Sequence, residues 1–164
     1  MSLQFGMSLL PWVLSGMVAA AATLWVRLSV VDTEPVASVR PGKGGVCEIL
    51  WQKWSPGLVE RERAHGRAVW LHFSADWDLL SKLNEKRIFE DQKVMRKLVD
   101  TGVAFIWADL TERDPEVEAE LKRYGQVTVP TDLLFPGDPD RPMITLSEVI
   151  SKEEALRALT QATR

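Results

Sequence analysis

The residues able to do chemistry crowd into one stretch, "HFSADWDLLSKLNEK", His72 to Lys86. It carries His72, then Asp76, Asp78 and Ser81 at short spacings, and each of three chemistries asks for more than these supply. A serine nucleophile with a histidine base needs a third group to orient the imidazole. Neither an orienting carboxylate nor a G-x-S-x-G elbow accompanies Ser81 and His72. A metal centre built from His72, Asp76 and Asp78 has suitable donor atoms but no diagnostic spacing. Thiol chemistry is confined to Cys47, the single cysteine of the chain, which rules out an intramolecular disulfide, a CxxC pair and a multi-cysteine metal site. Cys47 reads as a small structural or linker thiol, with an intermolecular disulfide as its alternative. No cofactor and no metal are expected.

The elements that must position these residues follow from periodicity and caps. "EILWQ" (Glu48 to Gln52) reads as a short strand. "SPGLVERERAHG" reads as a helix with Ser55 as N-cap, Pro56 at the first position and Gly66 as terminator, beside which His65 is a helix-end cation. "AVWLHF" (Ala68 to Phe73) is a buried central strand that delivers His72, and a helix starts at about Asp78. A further helix, "QKVMRKLVDTG", is capped by Asp91 and closed by Gly102. "VAFIWAD" (Val103 to Asp109) is a second buried strand, so Trp70 and Trp107 read as core. "RDPEVEAELKRYG" has Asp114 as cap, Pro115 first, acids early and bases late. "TDLLF" and "PMITL", joined by "PGDPD", form a hairpin, and Ser151 with Glu154 opens the last helix as a capping box. Strands alternating with helices and then a hairpin predict an α/β fold, a mixed central sheet flanked by helices.

Ahead of this domain, Phe5 to Val26 runs 22 residues without a charge. At about 1.5 Å per residue that crosses a hydrocarbon core of about 30 Å. We read residues 1–27 as a transmembrane helix or signal anchor, 28–47 as a Pro- and Gly-containing linker, and 48–164 as the folded domain. A cleavable signal is the alternative for the first segment, because "AAAA" at Ala19 to Ala22 offers small-residue cleavage sites, although residues 1–8 hold no Lys or Arg. Arg27, Arg40 and Lys43 follow the apolar run, which by the positive-inside rule alone puts the domain in the cytoplasm. A net charge of −3 with 26% charged residues lacks the basic footprint of nucleic-acid binding.

From Trp51 to about Ala162 the chain resembles the thioredoxin-like C-terminal domain of the DsbD membrane disulfide reductases. The resemblance is carried by "WSPGLVERERAHGRAVWLHFSADW", "SKLNEKRIFED", "ADLTERDPEVEAELKRYG" and "VTVPTDLLF". Members similar to this chain have D-F-x-A-D-W-C-x-x-C-K-x-N-E at the redox site and a Val-Pro with a cis peptide facing it. Val129 and Pro130 match the latter. At the former, Asp78 stands for the first cysteine, Ser81 for the second, and His72 for the buried carboxylate. Dithiol exchange needs a thiolate to attack and a second thiol to resolve, and neither position holds sulfur.

The resemblance implies a thioredoxin-like fold whose redox positions are degenerate, with Trp77, Asp78, Val129 and Pro130 lining a groove for an extended peptide or protein partner. At a helix start Asp78 is an anion where the family has a thiolate. It is read either as a thiolate mimic, with Ser81 imitating the buried thiol, or as a plain N-cap. The resemblance also implies an extracytoplasmic, periplasmic domain held at the cell membrane, which we set above the charge rule. The expected function is a redox-inactive binding or scaffolding module. Two alternatives are an active thiol:disulfide interchange component whose partner supplies cysteines, and a fragment of a larger reductase.

Overall fold

The structure, a computed structural model, describes residues 39–41 and 47–164. The expected membrane segment and most of the expected linker lie outside the described residues. Among the described residues no helix is long and apolar enough to cross a membrane.

Strand β1 (Val39–Pro41) pairs antiparallel with β2 (Cys47–Ile49), setting Pro41 opposite Cys47. Strand β1 and Cys47 fall in the stretch read as linker, whereas Glu48 and Ile49 of β2 belong to the strand expected over Glu48 to Gln52. The remaining strands are β3 (Gln52–Lys53), β4 (Val69–Ser74), β5 (Ala104–Asp109), β6 (Thr131–Phe135) and β7 (Ile144–Thr145). They form one sheet in the order β3-β5-β4-β6-β7. β4 runs parallel to β5 and antiparallel to β6, and β7 returns antiparallel on β6, giving the mixed sheet that the sequence predicts.

Side chains of the central strands alternate between two faces, as the pleat requires. Val69, Leu71 and Phe73 join Ile106 and Leu133 on one face, covered by α1 (Leu58–Ala64) and α4 (Pro115–Arg123). Trp70, Phe105 and Leu134 lie on the other, covered by α3 (Gln92–Thr101) and α5 (Lys152–Ala162). Helix α2 (Leu79–Asn84) follows β4 directly and runs into a π turn, Glu85–Phe89.

The caps are those expected, with one exception. Asp78, Asp91, Asp114 and Ser151 each accept from a backbone N–H of the first turn, and Glu154 completes the capping box of α5. The exception is α1. Its N-cap is Gly57, not Ser55, because Ser55 to Leu58 closes a turn (Leu58 N–H to Ser55 C=O, 3.1 Å) with Pro56 at the second position and Gly57 at φ 76° in the third. That is the Pro-Gly signature of a type II turn, which delays the helix by two residues.

Candidate functional site

The loop from β4 into α2 is fixed by its own backbone. Asp78 N–H donates to Ala75 C=O at 3.0 Å, and Asp76 N–H donates to the Thr111 hydroxyl at 2.9 Å, tying the loop to the end of β5. Asp78 then caps α2. One of its carboxylate oxygens, Oδ2, accepts from Ser81 N–H at 2.7 Å and from the Ser81 hydroxyl at 2.6 Å. Ser81 is fully buried and Asp78 half-buried. The two positions where the family pattern has cysteines are therefore joined by a short, charge-assisted hydrogen bond. Nearby, Asp76 is held by Lys82 Nζ at 2.6 Å.

His72 belongs to a different environment. Its register on β4 sets it opposite Asp132 of β6, and period-2 alternation puts Trp70 on the same face. His72 Nδ1 and Trp70 Nε1 both donate to Asp132 Oδ1, at 2.8 and 2.7 Å. A carboxylate there can only accept, so Nδ1 carries the proton. On the other side Nε2 lies 3.6 Å from Glu85 Oε1, which the π turn brings inward. That nitrogen is buried and has no hydrogen bond, so the contact is ionic. Burial acts most strongly and opposes the cation. The charge and hydrogen bond of Asp132, and then Glu85, outweigh it and push the His72 pKa up to about 9. His72 is thus an imidazolium between two carboxylates, ringed by Trp51 and Phe89 at 5.7 Å from each ring.

This geometry settles the hydrolytic reading of the sequence. An orienting carboxylate does exist, namely Asp132, which the sequence did not reveal. However, the opposite nitrogen of His72 faces Glu85, and the Ser81 hydroxyl donates to Asp78, so histidine and serine do not form a nucleophile–base pair. The three candidate metal ligands are likewise engaged separately, His72 with Asp132, Asp76 with Lys82 and Asp78 with Ser81. Among the described residues no group of three His, Cys, Asp or Glu side chains is placed to hold a metal ion.

Several large apolar side chains are exposed to solvent. Trp77 is 60% exposed, Leu79 81% and Val127 79%. Trp77, Val127 and Val129 line a hollow of about 350 Å³ floored by Leu110 and Leu121. The Val129–Pro130 peptide bond is cis. Of the four residues expected to share a groove, the structure brings Trp77 and Val129 to this hollow. Pro130 is buried, and neither it nor Asp78 is part of the lining. Trp70 is core, as expected, whereas Trp107 is half-buried with Nε1 donating to the Ser74 hydroxyl at 2.7 Å. His65 turns its Nδ1 back to Arg61 C=O at 2.9 Å.

Three residues that hold the site together went unnoticed in the sequence. Glu85 and Asn84 stand in the family pattern as its N-E pair, and that was the available signal for them. Asn84, fully buried, donates to Glu148 C=O at 2.8 Å and accepts from Ile150 N–H at 3.1 Å, fastening the segment before α5 onto α2. Asp132 carried a weaker signal, a lone acid at the start of an otherwise apolar strand.

Comparison with known proteins agrees with this architecture. The family model described as Thioredoxin-like matches residues 50–137. Thiol:disulfide interchange protein DsbD of Yersinia enterocolitica is 38% identical over 78 residues, covering 46% of this chain and 13% of that protein. DsbD of Pseudomonas fluorescens is 29% identical over 127 residues, 77% of this chain and 21% of that protein. The chain thus spans between about an eighth and a fifth of these relatives' length. Among solved structures, the reduced C-terminal domain of Neisseria meningitidis DsbD superposes with a TM-score of 0.55 at 22% identity, over 69% of this chain and all of that one. A thioredoxin from Thermus thermophilus gives 0.53 at 21%, over 68% and 84%. With more than half of its residues inside the family match and its sheet, helices and cis-proline loop arranged accordingly, this chain belongs to the thioredoxin-like family and is related to the C-terminal domain of DsbD.

Proposed function

We propose that the domain is a redox-silent module that holds an extended peptide or protein partner, anchored to the cell membrane by its N-terminal segment with the domain on the extracytoplasmic side. The observation that carries this reading is the Asp78–Ser81 pair. At the mouth of α2 a carboxylate and a hydroxyl are hydrogen-bonded at 2.6 Å where exchange would need two sulfurs. Neither group can form or break a disulfide. The anion at Asp78 reproduces the charge of a helix-start thiolate without its reactivity. Next to it in the chain, exposed Trp77 joins Val127 and Val129 in lining an apolar-floored hollow, the kind of patch that marks an interaction site.

The test is a disulfide-reductase assay on the full chain with an added reductant. The native protein is expected to give the uncatalysed rate, and the double variant Asp78→Cys with Ser81→Cys a measurable one. Turnover by the native chain at the level of the double variant would refute the redox-silent reading. Adding His72→Asp to the double variant places a third carboxylate against Asp132 and Glu85. It is expected to lower stability, so turnover is compared between the native chain and the double variant alone.

A further inference from the structure

The hollow beside Trp77 is apolar on its floor and charged on its rim, and the rim charges are unequally engaged. Glu118 and Lys122, one turn apart on α4, are paired at 3.6 Å. Arg113, which also lines the hollow, takes part in no ion pair among the described residues. Across the loop, Asp76 is held by Lys82 and Asp78 by Ser81. The exposed guanidinium of Arg113 thus stands next to an apolar recess without a carboxylate at ion-pair distance among the described residues.

Its backbone is set in advance. Arg113 has φ 52°, an uncommon conformation for a residue with a Cβ. The turn that holds it there is closed by Arg113 N–H to Leu110 C=O at 3.1 Å. It is braced by Thr111 N–H to Asp109 Oδ1 at 2.8 Å and by the bond from Asp76 N–H to the Thr111 hydroxyl. The turn therefore needs no reordering to offer the guanidinium to a ligand, which saves part of the entropy that binding otherwise costs. Arg113 and Trp77 also border a second, more polar hollow lined by Thr111 and Glu112. Glu112 opposes a second anion on that side.

We propose that Arg113 makes this groove selective for an extended peptide in which an apolar side chain, seated on Leu110, Leu121 and Val129, is neighboured by a single acidic residue. The planar fork of arginine suits a carboxylate in two parallel hydrogen bonds, and the apolar recess supplies the sequence-tolerant part of the affinity. The inference rests on the peptide-holding reading above and names its ligand class.

Fluorescence anisotropy of the full 164-residue chain in a non-ionic detergent tests it. The probes are three dye-labelled Ser/Gly peptides with a central Leu, neighboured by Glu, Gln or Lys. The Glu peptide is expected to bind about two- to fivefold tighter than the Gln peptide, as an exposed ion pair allows. The Lys peptide is expected to bind most weakly, and raising the salt from about 50 mM to about 500 mM should erase the ranking. Arg113→Gln should abolish the difference between the Glu and Gln peptides, whatever affinity the two then share. Equal binding of the Glu and Gln peptides by the native chain overturns the specificity while leaving the groove reading intact, as does a preference that survives Arg113→Gln. Failure of all three peptides to bind overturns both.

Discussion

His72 and Trp77 stand five positions apart in the chain and are treated in opposite ways. Around His72 both ring nitrogens face a carboxylate, Trp70 shares one of those carboxylates, and aromatic rings close the remaining sides. Around Trp77 the apolar surface lies open, and Arg113, which shares the hollow with it, has no ion pair among the described residues. The first region contributes folding energy and tolerates little, because removing one member leaves a buried charge uncompensated. The second contributes little to folding and can change freely. A patch of this kind is where a thioredoxin-like domain can exchange chemistry for recognition without losing its fold. At positions 78 and 81 an aspartate caps α2 and a buried serine hydroxyl donates to it.

The strongest way to break the comparison is at Asp132. Asp132→Ala strips the acceptor from both the His72 imidazolium and the Trp70 indole, and breaking a buried ion pair from one side costs about 3–5 kcal/mol. Urea denaturation of the native and variant chains measures it. A loss below about 1 kcal/mol would mean that the buried net is not the folding centre described here.

The next effect is a dependence on pH. The folded pKa of His72 is raised from 6.5 to about 9. Its contribution is therefore complete below about pH 6.5 and is lost as pH rises through about 9, a change on the order of 3 kcal/mol. Stability measured between these limits should fall, and His72→Gln should flatten that part of the profile. A native profile that stays level up to pH 9 would remove the imidazolium from the account.

How much of this was legible in the sequence follows the same division. Elements with local signals were readable. Asp91, Asp114 and Ser151 sit where short polar side chains must accept from a first turn, and β4 and β5 are apolar runs of the length of a buried strand. The start of α1 was misread because Ser55 and Gly57 are both acceptable N-caps. The turn that decides between them depends on a positive φ at Gly57, which proline at the preceding position favours but does not dictate. Strand β1 was missed because three residues carry too little alternation to register, and the strand expected over Glu48 to Gln52 is divided between β2 and β3. At the site, Asp78 and Ser81 could be placed because the family pattern that the chain resembles sets its two cysteines at those positions. The partners of His72 could not, since Asp132 lies 60 positions away and meets it through strand register, and Glu85 reaches it through a π turn that no local signal announces.

Smaller effects sharpen the exposed side of the comparison. Asp78→Ala removes the cap of α2 and the acceptor of the buried Ser81 hydroxyl, and a lost N-cap costs about 1 kcal/mol. Asp78→Asn keeps an acceptor for the backbone N–H and should recover most of that loss. The two variants, compared by thermal unfolding, separate the capping role of Asp78 from any role of its charge. If capping is the whole role, both variants bind the peptides used to test Arg113 as the native chain does.

Trp77 should give the smallest change in stability and the largest in binding. Its side chain is mostly in water, so Trp77→Ala removes little buried surface, and a surface substitution of this kind stays within about 0.5 kcal/mol. Binding makes the opposite demand, because the indole forms a wall of the hollow floored by Leu110 and Leu121, and a peptide side chain seated there covers apolar area that folding has left exposed. Unchanged unfolding together with lost peptide affinity is the expected pair of results. Unfolding weakened by more than about 1 kcal/mol would instead make Trp77 part of the core and close the distinction between the two regions.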